Sequence, residues 1–196
     1  MAVSSKYGFV YKKHMAPGVE LPATLEVIIS DAAGALAIGD AVQLTAGYLD
    51  GCPVDEAMLG ILVGFVTKNG ENIFKTKDSL SGSKSGDDIY NAAANNTTVD
   101  QVKGVVIVDN MALFQAYSDT ALEATDIGLY FPGKVADGTY VDSLADSGSG
   151  AWSVGTQQFQ CIERVTTLED GSSSTTCGLF RIARSQILTD VTQATT

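Results

Sequence analysis

The chain has 196 residues, 45% of them hydrophobic and 18% charged, and a formal net charge of −11. A length and mixture of this kind fit one globular domain, or a core domain with a large insertion, that buries roughly 70% of its unfolded surface without staples. The acidity argues against binding phosphate backbones, and no apolar run approaches the roughly 20 residues of a membrane helix.

Glycine is abundant at 20 residues and proline scarce at 4. With Thr, Ser, Val and Ala filling the strand-like runs, this predicts an all-β protein with many glycine turns.

Residues 1–22 read as an extended N-terminal arm. It is aromatic (Tyr7, Phe9, Tyr11) and basic (Lys6, Lys12, Lys13, beside His14), and it closes on Ala16-Pro17-Gly18 and Leu21-Pro22. No apolar block follows its lysines, so no secretion signal is expected. The alternation of Tyr7, Phe9 and Tyr11 allows pairing as an edge strand. Two roles stay open for the arm: an anchor to a partner, or the first strand of the chain's own body. As an anchor, the rings would supply buried area and Lys12 and Lys13 would supply charge attraction.

A β-rich structural body is expected over residues 23–188, beginning with a strand at 26–30 and a turn at Asp31-Ala32-Ala33-Gly34. Residues 34–66 are the most informative stretch of the chain. Ile38-Gly39-Asp40 reads as a turn, 41–45 as a half-buried strand, and Gly47 and Gly51 as punctuation at the tip. The run at 60–66 is an apolar stretch long enough for a buried strand. Lys68-Asn69-Gly70-Glu71 is a good hairpin turn, because Asn-Gly tolerates positive φ.

Composition then shifts. Residues 79–98, SLSGSKSGDDIYNAAANNTT, read as a long polar loop insertion. Residues 104–109 predict a buried strand. Residues 111–122 fit either a helical face or a strand, and the strand is favoured. Ile127-Gly128 echoes Ile38-Gly39, through a weak internal duplication or through shared turn chemistry. A second polar loop is expected at 144–151, a closing hairpin from strands at 156–166 and 178–188, and a flexible tail at 189–196.

Chemistry is thinly supplied. One histidine, His14, excludes a two-histidine zinc site by count, and its place in an arm predicts a solvated or interface residue rather than a catalytic base. Asp87-Asp88, with Asn91, Asn95 and Asn96 nearby, could offer oxygen ligands to calcium, yet the spacing fits no loop motif and a solvated loop is expected. Asp109-Asn110 predicts a turn. The GSKSGDD run lacks the spacing of a phosphate loop. Cys52, Cys161 and Cys177 are expected as reduced, buried thiols, although Cys161 and Cys177 could face each other across a hairpin. Trp152 fits a core anchor or an interface hot spot. No catalytic, cofactor-binding or metal-binding residue is predicted.

The segments GALAIGDAVQLTAG, LGILVGFV and DIGLYFPGK resemble the head decoration, or capsid cement, proteins of tailed bacteriophages. The match covers residues 25–66 well and 105–131 loosely, and the chain departs from the simplest members in its two long loops. The resemblance implies a compact β-barrel or sandwich with no enzymatic activity and no cofactor. It implies a protein made in the host cytoplasm and carried on the capsid exterior of the virion. The partner would be the major capsid protein, bound through Tyr7, Phe9, Tyr11, Lys12 and Lys13, and the chain would form a homo-oligomer, a trimer by preference. The rival readings are a head-fibre base or tail component, a carbohydrate-binding β-module using Trp152 and Tyr140, and a hydrolase built on Asp87, Asp88 and Asp109.

Overall fold

Continuous apolar runs make strands that bury both faces, and two such runs form the centre of this molecule. A computed structural model describes residues 8–29, 35–53, 56–66, 72–73, 89–91, 102–118, 121–131, 158–169 and 171–187. The expected loop at 144–151, the tail at 189–196, the Lys68–Glu71 turn, and Tyr7, Asp87, Asp88, Asn95, Asn96, Tyr140 and Trp152 lie outside them.

The described chain is all-β. In order it runs β1 (Val10–His14), β2 (Thr24–Ile28), β3 (Ala35–Ala37), β4 (Ala41–Thr45), β5 (Tyr48–Gly51), β6 (Gly60–Val66) and β7 (Asn72–Ile73). Then follow β8 (Ile89–Asn91), β9 (Lys103–Ile107), β10 (Ala112–Tyr117), a short 3-10 turn (Ala124–Asp126), β11 (Tyr130–Phe131), β12 (Phe159–Arg164) and β13 (Cys177–Ile182). The first sheet has the order β1-β10-β13-β12-β11, and the second β2-β9-β6-β4-β5 with β7 beside β6. Every strand pair in both is antiparallel.

The sheets form a sandwich rather than a closed barrel. The second sheet curls until its edges meet at one parallel bridge, Ile29 to Leu49, without continuous pairing along β2 and β5. Side-chain alternation divides its apolar residues between two cores. Ile61 and Ile107 join Phe9, Phe114, Phe159 and Phe180 in the core shared with the first sheet. Leu62 and Val106 point the other way, onto Val27, Ile29, Val42 and Leu49.

Turn chemistry fixes the local geometry. Gly39 and Gly128 both take positive φ, 93° and 91°, which is the physical content of the Ile-Gly echo. Ala46 and Gly47 join β4 to β5 with φ of 52° and 88°, the two positive angles of a primed hairpin turn. Gly51 is not at that tip; it ends β5, opposite Val42. Gly60 lies so close to β9 that an added Cβ would stand 2.0 Å from the Ile107 carbonyl oxygen.

Two further expectations change, and one left open is decided. Ile89–Asn91, inside the stretch read as a polar loop, is a strand paired with β3. Cys161 and Cys177 lie on the expected hairpin but out of register, because Cys161 faces Phe180 and the described pairing ends at Arg164 opposite Gly178. The arm, from Val10 to His14, is the edge strand of the first sheet and pairs with β10.

Candidate functional site

Strand β1 and the residue before it tie Phe9, Tyr11, Lys12 and Lys13 to the body of the protein by ring contacts and ion pairs. Phe9 is buried and stacks on Phe159, with ring centroids 4.1 Å apart. Tyr11 is half-buried and meets Phe114 edge-on at 6.2 Å. Lys12 pairs with Glu169, and Lys13 with Glu163 at 3.1 Å. Phe9 therefore offers no ring to a partner in this fold, and both lysines already have intramolecular counter-charges. Burial in the chain's own core removes the Phe9 ring from water without needing a partner.

What the segment does display is the loop that follows. Four large apolar residues within positions 15–25 are exposed: Met15, Val19, Leu21 and Leu25. Leu21 is the extreme case at 82%. Pro17 and Gly18, the latter at φ 81°, turn the chain away from the sheet and favour this display.

Both ends of the loop are held by one pair of side chains, beside backbone bonds from the Met15 N–H to the Met111 carbonyl at 2.9 Å and from the Val108 N–H to the Ala23 carbonyl at 3.0 Å. His14, closing β1, places Nε2 3.0 Å from Asp109 Oδ2 on the β9–β10 turn. Its Nδ1 accepts the Ala16 N–H at 2.9 Å. A ring nitrogen that accepts carries no proton, so Nε2 carries it and donates to the carboxylate. The other Asp109 partners are the N–H groups of Met111, on Oδ1 at 2.9 Å, and Ala23, on Oδ2 at 3.3 Å. Burial pushes the Asp109 carboxyl upward, but the Met111 and Ala23 amides and His14 overcome it and hold the group below its ordinary value. The Tyr11 hydroxyl adds a contact in the middle, donating to the Glu20 carbonyl at 3.3 Å.

The His14 side chain is 6% exposed, so the expected solvated histidine is instead a buried, paired one. The turn role expected for Asp109 is present, and the pairing with His14 is the part that sequence reasoning missed. A histidine with a carboxylate orienter resembles half of a catalytic triad. Here both ring nitrogens bond to the chain itself, and the dyad holds the loop. No group of three metal-ligating side chains occurs among the described residues.

The thiols are free and buried. Cys52 accepts from Gln158 Nε2 at 3.1 Å, and Cys177 from Gln115 Nε2 at 3.1 Å. Burial pushes the Cys52 thiol up to about 12 and Cys161 up to about 11, so neither supplies a thiolate at neutral pH.

No protein-family model, no curated protein and no solved structure matches the chain.

Proposed function

We propose that this chain is a non-enzymatic structural protein of a virus head, docking on the outer face of the capsid shell through residues 15–25. The observation that carries the reading is the exposed apolar set Met15, Val19 and Leu21 on a loop clasped at both ends, with Leu25 just beyond it on β2. A fixed loop loses little conformational freedom on docking, and each leucine-sized side chain it buries contributes about 1.5–3 kcal/mol. The rest of the body suits the role. Two apolar cores give a stiff β-scaffold, and a net charge of −11 keeps undocked copies soluble.

The major capsid protein is the proposed partner, and a trimer the proposed assembly, since three-fold positions on an icosahedral shell are natural docking points. The resemblance of residues 25–66 to decoration proteins points the same way. Mixing purified protein with undecorated shells and imaging them tests the proposal. Occupancy at symmetric, saturating sites is the expected result, and bare shells at high protein concentration would overturn it.

A further inference from the structure

We propose that His14 is a pH-dependent latch on the loop at residues 15–23: its neutral ring holds the Ala16 amide, and protonation at Nδ1 releases that amide while Met15, on the Met111 carbonyl, and Ala23, on Asp109, stay held. The geometry allows one arrangement of protons in the neutral state, with Nε2–H on Asp109 and the Nδ1 lone pair on the Ala16 N–H. A proton from solvent on Nδ1 sets two N–H groups against each other across 2.9 Å. The Ala16 carbonyl, 3.4 Å from Nδ1, is the nearest alternative partner.

The imidazolium stays beside Asp109, because charge now strengthens that contact. Asp109 keeps the Ala23 and Met111 amides, and the Met15 amide keeps the Met111 carbonyl, so acid loosens the loop at Ala16 only.

The surrounding groups leave the transition to His14. Asp109 faces it from the β9–β10 turn, and Tyr11, on the same strand, faces Asp109. Burial and the Asp109 charge raise the Tyr11 phenol, which keeps its proton and its bond to the Glu20 carbonyl throughout the histidine range. Lys12 and Lys13 are engaged with Glu169 and Glu163. His14 is the sole histidine of the chain, and histidine is the side chain whose ordinary titration falls between about pH 5 and 8.

Amide hydrogen exchange followed by NMR on the full chain, from pH 8 to 5 and corrected for intrinsic rates, reads the latch directly. Protection at Ala16 is expected to fall about tenfold as His14 protonates, the loss of one hydrogen bond, while Ala23 and Met111 hold steady. In His14→Gln the Ala16 profile is expected to be flat with pH. Ring nitrogen shifts of the wild-type protein at pH 8 supply a check that needs no variant, with the Nε2–H tautomer expected. Constant Ala16 protection in the wild type, an Nδ1–H tautomer, or an equal fall in His14→Gln would each overturn the latch. The latch bears on docking only through the reading given above. Shells that bind the protein while Ala16 shows no transition overturn the latch alone, and a transition in a protein that binds no shells overturns the docking.

Discussion

Phe9 lies flat against Phe159, ring centroids 4.1 Å apart and planes 15° from parallel, although β10 and β13 separate β1 from β12 in the sheet. The same ring meets Phe114 edge-on at 6.5 Å. Together these contacts make the N-terminal segment part of the main core. Phe9→Ala should therefore cost about 3–5 kcal/mol, read as a fall in the urea midpoint at unchanged slope. A midpoint unmoved by the substitution would return the segment to the role of a detachable arm.

Gly60 and Ala46 make opposite predictions from one argument about space and φ. A methyl group at Gly60 would collide with the Ile107 carbonyl oxygen at 2.0 Å, and the obstacle is backbone in the neighbouring strand. Gly60→Ala should open the β6–β9 pairing and destabilise by several kcal/mol, at the severe end of single substitutions, on the order of 4 or more. Ala46 sits at φ 52° in a turn that favours glycine or asparagine. Ala46→Gly should relieve that strain and stabilise by about 1 kcal/mol. Thermal melts of the two variants should move in opposite directions.

Residues 34–66 were legible because their signals are local. The Gly39 turn, the alternation of β4 and the apolar run of β6 each depend on neighbours in sequence, and β4 and β6 carry the bounds read from the sequence alone. Strands β9 and β12 were legible for the same reason, to within a few residues, whereas residues 111–122 had also fitted a helical face and β13 ends at Ile182, short of the expected 188. The destination of a strand is a different matter. Tyr7, Phe9 and Tyr11 alternate whether the strand pairs at home or on a neighbour, and the partner that decides it, β10, lies a hundred residues away. His14 and Asp109 are separated by 95 positions, so no spacing rule joins them. The apolar display of Val19 and Leu21 did have a signal, since large apolar residues beside Pro17-Gly18 and Pro22 sit where a chain turns toward water. Residues 89–91 pair as β8 despite a polar setting, because Ile89 and Tyr90 are the β-favouring pair within it.

Acid and alkali should each unfold the protein through identifiable groups. The Asp109 carboxyl is held below its ordinary value of 3.8, so it contributes stability above that pH and loses it as pH falls through its lower folded value. Asp109→Asn should flatten this acid limb of a stability profile. On the alkaline side the Cys52 and Cys161 thiols, raised to about 12 and about 11, bind protons that the unfolded chain releases near 9. Stability should therefore fall as pH rises above about 9. At pH 8 the three thiols should resist alkylation in the folded protein and react in denaturant, as mass spectrometry would register. Rapid labelling of Cys52 in the native state would contradict its burial.

The docking proposal makes its sharpest claim at Leu21. At 82% exposure this side chain contributes almost nothing to the fold, so Leu21→Asp should leave the melting curve unchanged to within about 0.5 kcal/mol. If residues 15–25 meet the shell, the same substitution removes a buried leucine and sets a carboxylate in an apolar contact. Losing the leucine alone, at about 1.5–3 kcal/mol, weakens binding roughly ten- to hundredfold. Ile127 gives the control: it is 50% exposed and precedes β11, at the opposite edge of the first sheet from β1. Ile127→Asp should bind shells as the wild type does. Equal loss in both variants would point to a nonspecific apolar effect, and full binding by Leu21→Asp would move the docking face away from this loop.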